Sequence, residues 1–278
     1  MLRPDLLIGP ALVGVIFNAF LTGCFSVQTY VYYTRYSSDR WEFKSMASLL
    51  AIFEFVKFAS ELYGIWELTV AVVETGNTPL VTTSAAMKIV ALLTPLTDGT
   101  VQSFFIFRLW RISRSLAPAL VGILLLVTSQ VSGYMAVARV FNATSELVLA
   151  SEVSMRIIMG LAFGARVMCD GWTSAFVVLY LRSIRQTVRF GTERSAFGKL
   201  ILWTVETGVR TSIVTAVVLV TYLVCGPTNY VWMAPFAIIG SVYANVLLAT
   251  MNGRWILQGH WAGDEECRSK GVNALSPT

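Results

Sequence analysis

A single histidine, His260, occurs in the 278 residues, and it stands near the end of the chain. A three-histidine zinc site of the membrane ceramidase or adiponectin-receptor type needs imidazole ligands that this chain does not have. No metal or other cofactor is expected. Lysine is absent between Asn229 and Gly253, which removes a retinal Schiff base at its usual position in a last helix. There is no glycine-rich phosphate loop, no aspartate-rich diphosphate motif and no Gly-x-Ser-x-Gly nucleophile turn, so the common phosphate and acyl chemistries are not on offer. The four cysteines are scattered. Cys24 and Cys169 lie inside long apolar runs, Cys225 at the end of one and Cys267 in the final segment, so no disulfide framework is expected. Charge is also scarce, at 13% of residues against about 25% in a soluble domain.

What fills the space is apolar. Hydrophobic residues make up 55% of the chain, and mean hydropathy is +0.66. Residues 6–34, 115–138 and 211–253 are charge-free runs, and about 20 apolar residues suffice for one membrane crossing. Charges and turn residues divide the chain into seven expected crossings, near 6–33, 44–72, 86–108, 116–138, 156–181, 199–224 and 230–254. The fold class is therefore an all-α membrane protein, a bundle of seven transmembrane helices over 1–255 with a short disordered tail at 256–278. The first crossing starts too early and runs too long for a cleaved signal peptide, and reads as an anchor.

Basic residues orient the bundle. One side carries Arg35, Arg40 and Lys44, then Arg108, Arg111 and Arg114, then five bases from Arg182 to Lys199, then Arg254, Arg268 and Lys270. The other side has only Arg3, Lys88, Arg139 and Arg156. The rule places the C-terminus in the cytoplasm and the N-terminus outside or in a lumen, in the plasma membrane or an endomembrane. Asn142-Ala143-Thr144 is a glycosylation sequon, and it falls on the outer side. The net charge of +5 follows from this bias and suits an anionic inner leaflet. It implies no nucleic-acid partner.

Ionisable groups inside the crossings are the candidate site. Glu54, Lys57 and Glu61 share one helical stripe, Arg166/Asp170 and Glu206/Arg210 are spaced as i, i+4 pairs, and Asp98 stands alone. Each would cost about 3 kcal/mol facing lipid at mid-membrane, so they are expected to face one another inside the bundle. Counted inward from the cytoplasmic anchors, Glu54, Asp98, Asp170, Glu206 and Asn245 fall roughly 10–18 Å deep, in one slab. The acids in this group outnumber the bases, so at least one carboxyl is expected to hold a proton. Asp98 has no base within a helical turn, and its compensation is expected from Lys57 or Arg166, from a proton or from a ligand. Pro95 and Pro235 are expected to bend the third and seventh helices. Intrahelical ion pairs also fix packing, but a slab of eight charges is a costly way to obtain packing alone.

Four motifs carry a resemblance. They are Gln28-Thr29-Tyr30-Val31-Tyr32-Tyr33-Thr34-Arg35-Tyr36 with Asp39, Trp41 and Lys44; Gln102-Ser103-Phe104-Phe105 with Arg108, Trp110, Arg111 and Ser113; Thr207-Gly208 with Thr211-Ser212; and Tyr243-Ala244-Asn245 through Leu247-Leu248-Ala249-Thr250 to Asn252 and Arg254. Together they resemble a fungal seven-helix membrane family catalogued as domain of unknown function 6534, over about residues 10 to 254. The resemblance implies topology and kingdom, and no established activity. Such proteins often show Asp followed three residues later by His in the second helix, where this chain has Glu54 and Lys57. Helix three ends in Phe107-Arg108-Leu109-Trp110-Arg111 and helix seven lacks Asn-Pro-x-x-Tyr, so the signatures of the largest receptor class are missing. The leading expectation is a receptor-like sensor binding a small, lipophilic ligand in a polar intramembrane pocket, with a cytoplasmic partner at the basic inner loops. The alternatives are a membrane-embedded enzyme such as a terpene cyclase-like isomerase, in which a carboxyl acts as general acid, or a proton-coupled transporter.

Overall fold

The computed structural model describes residues 5–75, 84–142, 152–187, 192–225 and 229–253. Those residues form seven α-helices and no strand: α1 Asp5–Arg35, α2 Trp41–Thr75, α3 Ala85–Ser113, α4 Leu116–Asn142, α5 Val153–Thr187, α6 Thr192–Cys225 and α7 Met233–Asn252. Each helix covers an expected crossing, most extending a few residues past it, because a helix does not end where the apolar window does. The exception is α7, which is shorter than the 230–254 expected from sequence. It starts at Met233, so Pro235 lies in its first turn, where the missing N–H has no intrahelical partner to lose. Pro235 therefore helps to start the helix and does not bend it, a correction to the sequence expectation. Pro95 does lie inside α3. The tail expected over 256–278 lies outside the described residues, as do Ala143 and Thr144 of the sequon.

Helix ends are set locally. Ser84 caps α3 by accepting from the Met87 amide at 3.3 Å. Arg114 closes the same helix in the left-handed conformation, φ 50°, with its amide donating to the Trp110 carbonyl. That sharp stop turns the chain directly into α4, two residues later.

Consecutive helices are neighbours around a ring, α7 closes the ring onto α1, and α3 reaches across to touch α5 and α7. The surface is apolar: Phe20, Tyr30, Trp66, Leu124 and Val224 are each more than 60% exposed. Large side chains in such number on the outside would aggregate in water and are at home against acyl chains. Five helices, α1, α3, α4, α6 and α7, contain stretches long and apolar enough to cross a membrane. This is a multi-pass membrane protein. The other two, α2 and α5, break their apolar runs with charge: Glu54, Lys57, Glu61 and Glu67 in one, Arg156, Arg166, Asp170 and Arg182 in the other.

Two of the sequence motifs stitch α1 to α7. Gln28 Nε2 donates to Asn245 Oδ1 at 3.0 Å, Asn252 Nδ2 to the Gln28 carbonyl at 2.9 Å, and Tyr36 OH to the Asn252 carbonyl at 3.0 Å. A third brings α6 against α5, since a Cβ on Gly208 would sit 2.7 Å from Ser174 Cβ. Only glycine permits that approach.

Candidate functional site

The helix ring turns six ionisable side chains inward. Glu54, Lys57, Glu61, Asp98, Arg166 and Asp170 are each at most 9% exposed. On α2, Lys57 Nζ donates to Glu54 at 2.8 and 3.0 Å, the i, i+3 geometry of one helix face. The pair is completed from α7, where Ser241 Oγ accepts from Lys57 at 3.3 Å and bonds Glu54 Oε2. Gly240 makes room for it, because a Cβ there would collide with Lys57 Nζ. From α1, Asn18 bonds Ser241 through its Oδ1 and donates through Nδ2 to Glu61 Oε2. One hydroxyl proton on Ser241 faces two acceptors, Asn18 and Glu54, so it serves one of them at a time.

A second charge contact crosses from α3 to α5. Arg166 Nη1 lies 2.6 Å from Asp98 Oδ2, though off the angle of a hydrogen bond, so the contact is a close ion pair without alignment. The guanidinium also lies 5.4 Å from the Phe163 ring and 5.9 Å from the Tyr243 ring, within cation–π range. The expectation that Asp98 is compensated from another helix is met by Arg166. The expected Arg166/Asp170 pair is not formed, because Arg166 turns to Asp98. Asp170 instead accepts from Tyr243 OH and, at 3.3 Å, from Gln102 Nε2. Four buried carboxyls thus share two buried cations among the described residues, and the other two carboxyls, Glu61 and Asp170, are held by neutral donors.

Three sequence candidates lie elsewhere. Glu206 and Arg210 do pair with each other, but their side chains are 45% and 62% exposed, on the outer face of α6. The expectation that they face the interior is corrected. They stand near the start of the apolar stretch Thr204–Cys225, where long charged side chains reach the interface. Asn245 is half-buried and bonds Gln28 and the Leu21 and Ser241 carbonyls, a helix-joining role apart from the charges.

Sequence reasoning passed over Asn18 and Ser241, and quoted Gln102 and Tyr243 only as motif residues. Signals for them existed. Gln102 is one turn from Asp98, and Ser241, Tyr243 and Asn245 alternate along one stretch of α7. Asn18 is a lone amide in the middle of an apolar run, and its partners, Glu61 on the next helix and Ser241 on the last, were not readable.

A cavity of about 140 Å³ adjoins the charges, at the end of the bundle where α1 begins. Its walls are apolar, from Val15 on α1, Leu68 on α2, Met159 and Phe163 on α5 and Phe236 on α7, and Glu61 and Arg166 line it too. Rings run along one wall in edge-to-face contact, Tyr222 to Trp232 at 5.3 Å, Trp232 to Phe236 at 5.7 Å and Phe236 to Phe163 at 6.4 Å. This volume is about that of an engineered apolar cavity that stays dry and binds benzene. The arrangement can bury a small apolar body while offering it an acid and a base.

Residues 166–256 match the model of a family of unknown function, DUF6534, the same family that the four motifs resemble. No curated protein and no solved structure matches the chain. The matched stretch holds Arg166, Asp170, Ser241 and Tyr243, so one part of the inner cluster lies within it.

Proposed function

We propose that all seven helices cross the membrane, with the C-terminus cytoplasmic, and that the protein is a receptor-like sensor for a small lipophilic ligand held in the cavity. The observation that carries this reading is an apolar cavity lined at its inner side by Glu61 and Arg166, each tied into a polar network that reaches another helix. Arg166 leads to α3 through Asp98. Glu61 leads through Asn18 and Ser241 to α1, α7 and the Glu54–Lys57 pair. A ligand that engages either group bears on how those helices sit together, which is the differential contact a two-state receptor needs. The basic residues at the opposite end of the bundle, Arg108, Arg111 and Arg114 among them, then supply the surface for a cytoplasmic partner.

The test uses hexafluorobenzene as a small apolar probe and the full chain in lipid nanodiscs. Fluorine NMR is expected to show a bound resonance distinct from probe dissolved in lipid. Ala136→Phe, which fills the cavity from α4, is expected to remove it. Spin labels at positions 111 and 182 are expected to change separation when the cavity is saturated. A bound resonance with an unchanged label distance would contradict the sensor reading, and no cavity-dependent resonance would contradict ligand binding itself.

A further inference from the structure

The outward face of α6 carries one line of side chains with a regular spacing. Glu206, Arg210, Ile213, Val217, Val220 and Val224 follow one another at intervals of four and three residues, and all six are exposed. That alternation is the seam of a left-handed coiled coil, in which a second helix seats its own side chains between them. α6 packs against α5 and α7, and the line is left outside those contacts. The last four residues of the line are β-branched, so they have little rotamer freedom to lose on packing.

An apolar line of this kind suits acyl chains as well as protein, and by itself selects neither. The ion pair at its start does select. Arg210 donates to Glu206 through Nη2, and neither side chain makes another polar contact among the described residues. A guanidinium has five N–H donors and a carboxylate two oxygens, so each head keeps hydrogen-bonding capacity on the exposed side. Arg210 stands six residues, about 9 Å of rise, into the apolar stretch Thr204–Cys225. Charged groups at such depth are favoured where they meet an opposite charge.

The spare groups are an acid and a base one helical turn apart, and that combination is self-complementary. Two copies of one membrane protein share an orientation, so a two-fold axis between their α6 helices runs across the membrane. About that axis Glu206 meets the partner's Arg210, and Arg210 meets the partner's Glu206. A partner offering acid alone or base alone would leave one of the two unmatched. We infer that the protein forms a homodimer along α6, with Ile213, Val217, Val220 and Val224 as its apolar seam and two reciprocal Glu206–Arg210 pairs. Charged residues on an otherwise apolar seam fix its register. The inference needs only the outer face of α6 and stands apart from the cavity and its ligand.

The experiment measures energy transfer between donor- and acceptor-labelled copies of the full chain in phosphatidylcholine liposomes, at rising lipid-to-protein ratios. The parent is expected to show transfer that persists on dilution beyond chance encounter. Glu206→Arg puts two bases on the face, and Arg210→Glu puts two acids there. Each variant is expected to need about ten times more protein per lipid for the same transfer, because like charges then meet across the axis. Mixing the two variants, donor on one and acceptor on the other, is expected to restore transfer to the parent level. Val217→Trp holds the helices apart without touching the charges; it is expected to weaken transfer, and it decides if a charge variant fails to fold. No transfer in the parent beyond chance encounter overturns the dimer and leaves the pair to lipid headgroups. Transfer in all three variants equal to the parent's overturns α6 as the contact. Loss in both charge variants without recovery in their mixture overturns the reciprocal pairing.

Discussion

Replacing Asp98 by Asn is expected to destabilise the folded protein by about 3–5 kcal/mol, and Arg166→Gln by a similar amount. Asp98 is fully buried and Arg166 nearly so, and they lie 2.6 Å apart. Either single change strands one charge at a buried position, without its counter-ion. The double variant, Asp98→Asn with Arg166→Gln, is expected to recover most of the loss, because it strands neither. Unfolding by steric trapping in bicelles, run as a double-mutant cycle, gives the coupling directly. Single losses that simply add in the double variant would mean that each residue answers to some other partner.

Gly240→Ala is expected to cost about 2–3 kcal/mol, far more than a glycine-to-alanine change in a helix, which ordinarily stabilises it by about 1 kcal/mol. The added methyl would collide with Lys57 Nζ and approach Glu54 Oε1 to 3.4 Å. An exposed lysine would swing away at little cost. This one is 1% exposed and bonded to Glu54 and Ser241, so moving it breaks charge-assisted hydrogen bonds worth about 1.5–3 kcal/mol. The same assay reads the result, and a variant as stable as the parent would show that the ammonium has room elsewhere in the bundle.

The helices were legible because burial in lipid leaves little freedom. A backbone in hydrocarbon must satisfy its own hydrogen bonds, so apolar runs bounded by arginine become helices whatever else they do. The inward direction of Glu54, Lys57, Glu61, Asp98, Arg166 and Asp170 was legible for the same reason, since each is too costly to leave facing acyl chains. Depth alone was insufficient for Glu206 and Arg210. They read as part of the slab by residue count, but they start an apolar stretch, where an exposed pair is tolerated. Pairing was harder still. The i, i+4 spacing of Arg166 and Asp170 made them natural partners on paper, and the structure gives Asp98 to one and Tyr243 to the other. Local spacing reports which side chains share a helix face, while the partner on that face belongs to the packing of α3, α5 and α7.

The central claim is that the charges of α2, α3 and α5 meet inside the bundle beside an apolar cavity that takes a ligand. A density map of the full chain in lipid nanodiscs saturated with hexafluorobenzene tests it most directly. The account predicts Arg166 against Asp98, Lys57 against Glu54, and non-protein density in the cavity beside Glu61 and Arg166. A cavity closed by its own side chains, or Arg166 turned away from Asp98 toward the lipid, would contradict it.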